Sequence, residues 1–275
     1  MLFGKKSGKA GGEMSFLEHL EELRWHLVRS AIAICVLAVV AFFEKEFIFD
    51  SIILAPKSPD FATYRFLCWL GHLLNMGDSL CISKIPFTLI NIDMSGQFST
   101  HMWVSAMAGL VVGFPYIIWE LWRFIKPGLT ENERKYTHGV VFFTSLLFLL
   151  GILFGYYMIA PMSINFLGSY QVSADVPNQI GLNSYISTVT TLTFSTGLVF
   201  ELPIVIFFLT KIGIVSPVFL RTYRRHAIVI ILIIAAIITP PDVASQLLVT
   251  FPLVLLYEIS IFISVVVYNK KVVGK

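Results

Sequence analysis

The sequence predicts an all-α, polytopic membrane protein with six transmembrane helices, a prediction resting on three observations. Hydrophobic residues make up 56% of the 275-residue chain and charged residues 13%, and the mean hydropathy is +0.80, which does not describe a soluble core with a wet surface. Apolar runs of membrane-spanning length recur along the chain. Lysine and arginine are shared unequally between the loops that separate those runs.

The runs fall at 27 to 43, 101 to 119, 139 to 160, 186 to 210, 226 to 238 and 247 to 266. The fifth and sixth are short. At 1.5 Å per residue the fifth reaches only about 20 Å against a hydrocarbon core of about 30 Å, so a locally thinned membrane is expected there. With both termini cytoplasmic, the inner segments hold 15 Lys and Arg residues, whereas the outer ones hold four, Lys45, Lys57, Arg65 and Lys84. That asymmetry sets the orientation. A 26-residue polar lead and the lack of a small-residue cleavage pattern read the first run as an anchored span rather than a removed signal. No internal repeat or Gly/Ser linker divides the chain, so residues 1–275 read as a single membrane domain. Its flexible leader, 1–14, is Lys-rich and either touches anionic lipid or is idle.

The first outer loop, 44–100, is punctuated by Pro56, Pro59, Gly71, Gly77 and Pro86, and 61–76 reads as an amphipathic helix within it. A structured cap over the spans is expected. Cys68 and Cys81 lie in this loop, on the side where disulfides persist, while Cys35 falls in the first span. They either bridge or serve as two small unpaired hydrophobes.

On the inner side, Ser15-Phe-Leu-Glu18 has capping-box spacing, and Phe16, Leu17, Leu20, Leu23 and Leu27 follow at helical intervals. An interfacial helix over 15–26, lying along the membrane before turning in, is expected. Its polar side displays Glu18, His19, Glu22 and Arg24. Glu18 and Glu22 are one turn apart and repel unless a cation arrives; the alternative is a solvated face. The next inner loop carries Glu131 and Glu133 after Pro127-Gly128, and Thr130 with Glu133 has the spacing of a cap for the third span.

Glu201 lies near the middle of the apolar run 191–209. An acid at a helix centre costs about 2.5 to 3.5 kcal/mol on insertion scales, so it should face protein or water and serve a function. Pro203 lacks the N–H that would bind the carbonyl near Val199, which favours a polar pocket there. Asp242, after Pro240-Pro241, is the weaker candidate because it fits a plain turn.

Taken together, Phe-Leu-Glu-His-Leu-Glu-Glu-Leu-Arg at 16–24, Trp122-Arg-Phe-Ile-Lys-Pro-Gly-Leu with Glu133-Arg134, Phe200-Glu-Leu-Pro203 and Thr239-Pro-Pro-Asp-Val-Ala-Ser-Gln246 resemble TatC. TatC is the multispanning receptor subunit of the twin-arginine protein export system. The resemblance runs from about residue 15 to 268 in order, departing in the long first outer loop. It implies a receptor in the bacterial cytoplasmic membrane whose carboxylates, Glu22 and Glu133 with Arg24 in the same patch, bind the twin-arginine signal peptides of folded cargo. Guanidinium forks match carboxylates bidentately where a Lys offers only a point charge, provided the site is shielded; Leu20, Phe124 and Trp122 can shield it or anchor the interface. The resemblance also implies that Gln246 partners Glu201 and that Glu201, Gln246, Pro203 and Asp242 dock single-span TatA-like and TatB-like subunits. Export would draw on the proton gradient, in a complex with several copies of the chain, without nucleic acid.

Two other function classes fit the sequence less well. A proton-coupled small-solute transporter would also use Glu201, but should show an internal repeat and a second polar span. An enzyme needs a constellation; His19, His26, His72, His101, His138 and His226 are scattered without metal-ligand spacing, and no Gly-rich phosphate loop occurs, so neither catalysis, cofactor nor metal is expected.

Overall fold

The computed structural model describes residues 16–82, 86–126, 137–173, 175–239 and 243–273. Its first helix, α1, runs Phe16–Phe43 without interruption, with no Gly or Pro inside it. The expected interfacial helix over 15–26 is therefore not a separate element but the first turns of the first span. Residues 47–53 form a π-helical turn and 55–57 a short 3₁₀ turn, followed by α2, Ala62–Leu73, and a second 3₁₀ turn, Gly77–Leu80.

The second span, α3 (Gly96–Ile125), returns antiparallel to α1. Three levels of contact fix the pair: His26 against Glu120, Gly109 against the backbone of Ile34 and Ala38, and His101 against the Phe42 carbonyl at 3.0 Å. The third span is α4, Thr137–Phe154, a π-helical turn Gly155–Ile159 and α5, Ala160–Ser169. The fourth is split into α6, Leu182–Val199, and α7, Leu202–Ile212. Pro203, at the second position of α7, cannot donate to the Val199 carbonyl, and the helix breaks at Phe200-Glu201 accordingly. A Ser216 hydroxyl, accepting from the Phe219 N–H at 3.1 Å, starts α8, Pro217–Thr222. Then come α9, Arg224–Ile238, and α10, Val243–Val273.

Five helices among the described residues are long and apolar enough to cross a membrane. The predicted fifth run appears as the 15-residue α9, below crossing length by itself. The sixth is not short. Its helix has 31 residues, because polar turns at both ends, such as Tyr268-Asn269-Lys270, carry it beyond the apolar run that hydropathy counts.

The all-α expectation also needs a small correction. Strand β1, Phe87–Ile90, pairs in parallel with β2, Asn178–Gly181, placing Phe87 opposite Asn178 and Ile90 opposite Gly181. Four-residue runs whose partners lie far away in sequence leave no readable periodicity. The ladder ties the segment before α3 to the segment before α6.

The cap is also held from α2. The Thr63 hydroxyl donates to the Tyr157 carbonyl in the π-helical turn of the third span. The Tyr64 hydroxyl lies 3.0 Å from the Pro56 carbonyl and 2.9 Å from that of Pro161, serving one at a time with its single proton. Burial pushes the Tyr64 phenol well above its ordinary range, so it is held in the protonated, donating form. Tyr64→Phe should lower stability by about 1 to 3 kcal/mol, the cost of stranding buried acceptors, read from thermal unfolding in detergent by tryptophan fluorescence. An unchanged midpoint would mean the cap is held elsewhere.

Two apolar clusters fill the interior. One joins Ile53, Phe87, Val104, Ile164, Tyr185 and Ile186; the other joins Ile159, Leu192, Ile206, Ile231, Val249 and Leu253 in the C-terminal half. Large apolar side chains also line the outside of the spans, with Val36, Phe142 and Phe262 more than half exposed. That surface suits hydrocarbon, not water.

Candidate functional site

The N-terminal half of α1 and the C-terminal end of α3 build a polar site around Glu120, which is only 1% exposed. Its Oε1 accepts from the Tyr116 hydroxyl at 3.1 Å and from an Arg123 guanidinium N–H at 3.3 Å. Its Oε2 pairs with Nδ1 of the buried His26 and lies 4.0 Å from the Arg29 guanidinium. Tyr116, Glu120 and Arg123 share one face of α3 at helical spacing, and His26 and Arg29 supply the matching face of α1. A buried carboxylate needs this many partners, since an unpaired one would cost several kcal/mol. Both arginines keep about half their side chains exposed, so their charge reaches solvent.

Farther toward the N-terminus of α1, His19, Glu22 and His26 follow at three- and four-residue intervals and share a face. Phe124 packs against this face. The His19 ring stacks on it at 4.4 Å between centroids, and His26 meets it edge-on at 6.1 Å. Glu22 is half-buried there, and its Oε2 is shielded from solvent with no hydrogen-bond partner among the described residues. The carboxylate thus has a spare acceptor beside an aromatic wall.

Other predicted members of the patch lie elsewhere. Arg24 is exposed and sits over the Trp25 ring at 5.9 Å, because residues two apart on a helix point about 200° away from each other. Leu20, 44% exposed, is turned from Glu22 for the same reason and does not shield it. Trp122 is buried against Phe208 at 4.8 Å, so it braces the fourth span instead. Glu133 and Asp242, with the side chain of Glu18, lie outside the described residues.

Sequence reading passed over Glu120 and His26. Hydropathy ended the second span at 119, which assigned Glu120 to the loop; the usable signal was Tyr116, Glu120 and Arg123 at i−4, i and i+3. The ion pair between Arg224 and Glu258, which joins α9 to α10, was also unread.

A second polar feature lies at the break in the fourth span. Glu201 stands at the N-cap position of α7 without a side-chain capping bond, and both its carboxylate oxygens are buried, with the backbone of Phe148 on α4 beside them. Pro203 is buried next to it. Gln246 does not pair with Glu201. Its amide donates to the Leu232 carbonyl at 3.3 Å, because the first turns of α10 pack on α9.

Between α1 and α3 the sulfurs of Cys68 and Cys81 are bonded, with Cα atoms 4.2 Å apart, and Cys35 is free and exposed on α1. Side chains of metal-ligating type gather there: Cys68, His72 and Cys81 offer atoms within 4.8 Å of one another.

A family model described as Sec-independent protein translocase protein (TatC) matches residues 18–252. Among relatives, the Sec-independent protein translocase protein TatC of Blattabacterium sp. subsp. Periplaneta americana (strain BPLAN) is 40% identical over 260 residues, covering 94% of this chain and 98% of that protein. TatCy of Bacillus subtilis (strain 168) is 36% identical over 258 residues, covering 94% and 91%. A crystal structure of the twin-arginine translocase receptor TatC superposes with a TM-score of 0.69 at 31% identity, covering 91% of this chain and 99% of the other.

Proposed function

From the premise that this chain belongs to the TatC family of Sec-independent protein translocase proteins, we propose that it is the receptor that binds twin-arginine signal peptides at its inner face. Membership makes it a multi-pass membrane protein of protein transport. The observation that carries the receptor reading is Glu22, whose shielded Oε2 is unused among the described residues, on the face of α1 where Phe124 packs on His19 and His26. A guanidinium entering there gains a charged acceptor and an aromatic face at once. Such a shielded charged hydrogen bond contributes about 1.5 to 3 kcal/mol, against about 0.2 to 1 for a wet ion pair. The Glu120 cluster supports the reading differently, since it fixes α1 against α3 and hence Glu22 against Phe124. Glu133 would supply the second carboxylate.

In this proposal α9 is the short fifth of six spans, both termini are cytoplasmic and the membrane is the bacterial cytoplasmic one. Glu201, buried at the helix break with Pro203, offers a polar contact to single-span TatA-like and TatB-like subunits in a complex driven by the proton gradient, with Gln246 and Asp242 as further docking residues. Several copies of the chain assemble in it. The small-solute transporter reading draws no support from the family.

A photocrosslinker at position 121, whose leucine is exposed and lies one turn from Phe124, tests the receptor reading with signal peptides bearing Arg-Arg or Lys-Lys. Capture of the Arg-Arg peptide is expected to fall about tenfold or more with Lys-Lys or with Glu22→Ala, as the loss of one shielded bond requires. Equal capture of both peptides by parent and variant would make Glu22 a solvated face residue.

A further inference from the structure

The turn that follows α2 combines four chemistry-bearing side chains on one short hairpin. Cys68 and His72 are one turn apart on α2 and share a face. The chain then reverses through Asn75 at φ 56° and Gly77 at φ 60°, left-handed positions that let the 3₁₀ turn Gly77–Leu80 fold back. That reversal sets Asp78 and Cys81 opposite Cys68 and His72. Asp78 Oδ1 lies 2.9 Å from His72 Nε2 and 3.7 Å from Cys81 Sγ, and the sulfur and imidazole ligand atoms lie within 4.8 Å of one another.

We propose that this hairpin is a metal site, taking one zinc-like divalent cation through Cys68, His72, Asp78 and Cys81 when the two sulfurs are not bonded to each other. A tetrahedral zinc with about 2.3 Å to sulfur and about 2.1 Å to nitrogen or oxygen needs neighbouring donor atoms about 3.5 Å apart. Side-chain rotation covers the difference, since the His72 and Asp78 side chains are 57% and 88% exposed and free to turn. Thiolates with one imidazole and one carboxylate select a borderline-soft ion over magnesium or calcium. A disulfide alone uses neither His72 nor Asp78, and their surface ion pair by itself contributes little. The metal reading uses all four.

The chemistry balances without an unnamed partner. Two thiols bind one dication and release two protons, leaving a dithiolate complex. From the bonded state seen here, a dithiol or phosphine reductant first supplies two electrons and is itself oxidised, and two protons convert the bridge to thiols. The same sulfurs serve both states, so bond and metal are alternative closures of one clip. Placement outside the membrane rests on the topology proposed above, whereas metal binding does not.

Cobalt(II) is the probe, added to full-length protein in detergent carrying Cys35→Ala, with and without prior phosphine reduction. Reduced protein is expected to take up one cobalt with thiolate-to-cobalt charge-transfer absorption and the strong visible bands of a tetrahedral site, bleached by zinc. Unreduced protein and Cys68→Ser should show neither. His72→Ala and Asp78→Ala, both at exposed positions, should each weaken binding by at least about tenfold, the loss caused even by second-sphere partners. Absence of the thiolate band in reduced protein, or a band untouched by either variant, overturns the proposal. Signal-peptide capture reports separately on the receptor reading.

Discussion

Glu120→Ala is expected to destabilise the protein by about 3 kcal/mol, near the lower end for breaking a buried ion pair, and to abolish arginine-dependent peptide capture as well. His26 is only 7% exposed and loses its acceptor outright, while Arg29 and Arg123 can turn their exposed ends to water, which keeps the loss from being larger. Tyr116 loses its partner too. Glu120→Gln retains the shape and an acceptor oxygen, so it should recover roughly half of the stability in proportion to the neutral hydrogen bonds it can still form. Denaturant unfolding in detergent measures the first effect and the crosslinking assay the second. If Glu120→Ala unfolds like the parent yet loses capture, the carboxylate contacts the peptide rather than positioning Phe124 and Glu22.

Gly109→Leu is expected to remove the protein from membranes altogether. Even a Cβ at this position would lie 2.7 Å from the Ala38 nitrogen and 2.8 Å from the Ile34 carbonyl oxygen, and backbone atoms of a helix cannot swing aside. Close approach through small residues is how membrane helices pack when hydrophobicity no longer drives them together. Overpacking of about 1 to 3 kcal/mol applies to a methylene or two; a leucine here must separate α1 from α3 along their length, and with it the Glu120 cluster. Gly139→Leu is the matched control, because a Cβ there meets nothing within 4 Å. Expression and membrane extraction of the two variants side by side would settle the point, and equal recovery would refute the proposed packing.

Among these elements, sequence determined what depends on local pattern. Hydropathy located the spans because a bilayer demands continuous apolar runs, and Pro203 located the break in the fourth because a missing N–H acts on its own turn. The run from Phe16 to Arg24, together with those after Trp122, Phe200 and Thr239, carried the family resemblance, and that resemblance singled out Glu22. Tertiary structure alone decided which side chains meet. It paired His26 with Glu120 across 94 residues, turned Arg24 and Leu20 from the pocket, gave Gln246 to Leu232 rather than Glu201, and laid β1 beside β2. It also folded His72 and Asp78 onto the two cysteines. These are facts of helix phase and of long-range approach, and a linear pattern records the first only within one element and the second not at all.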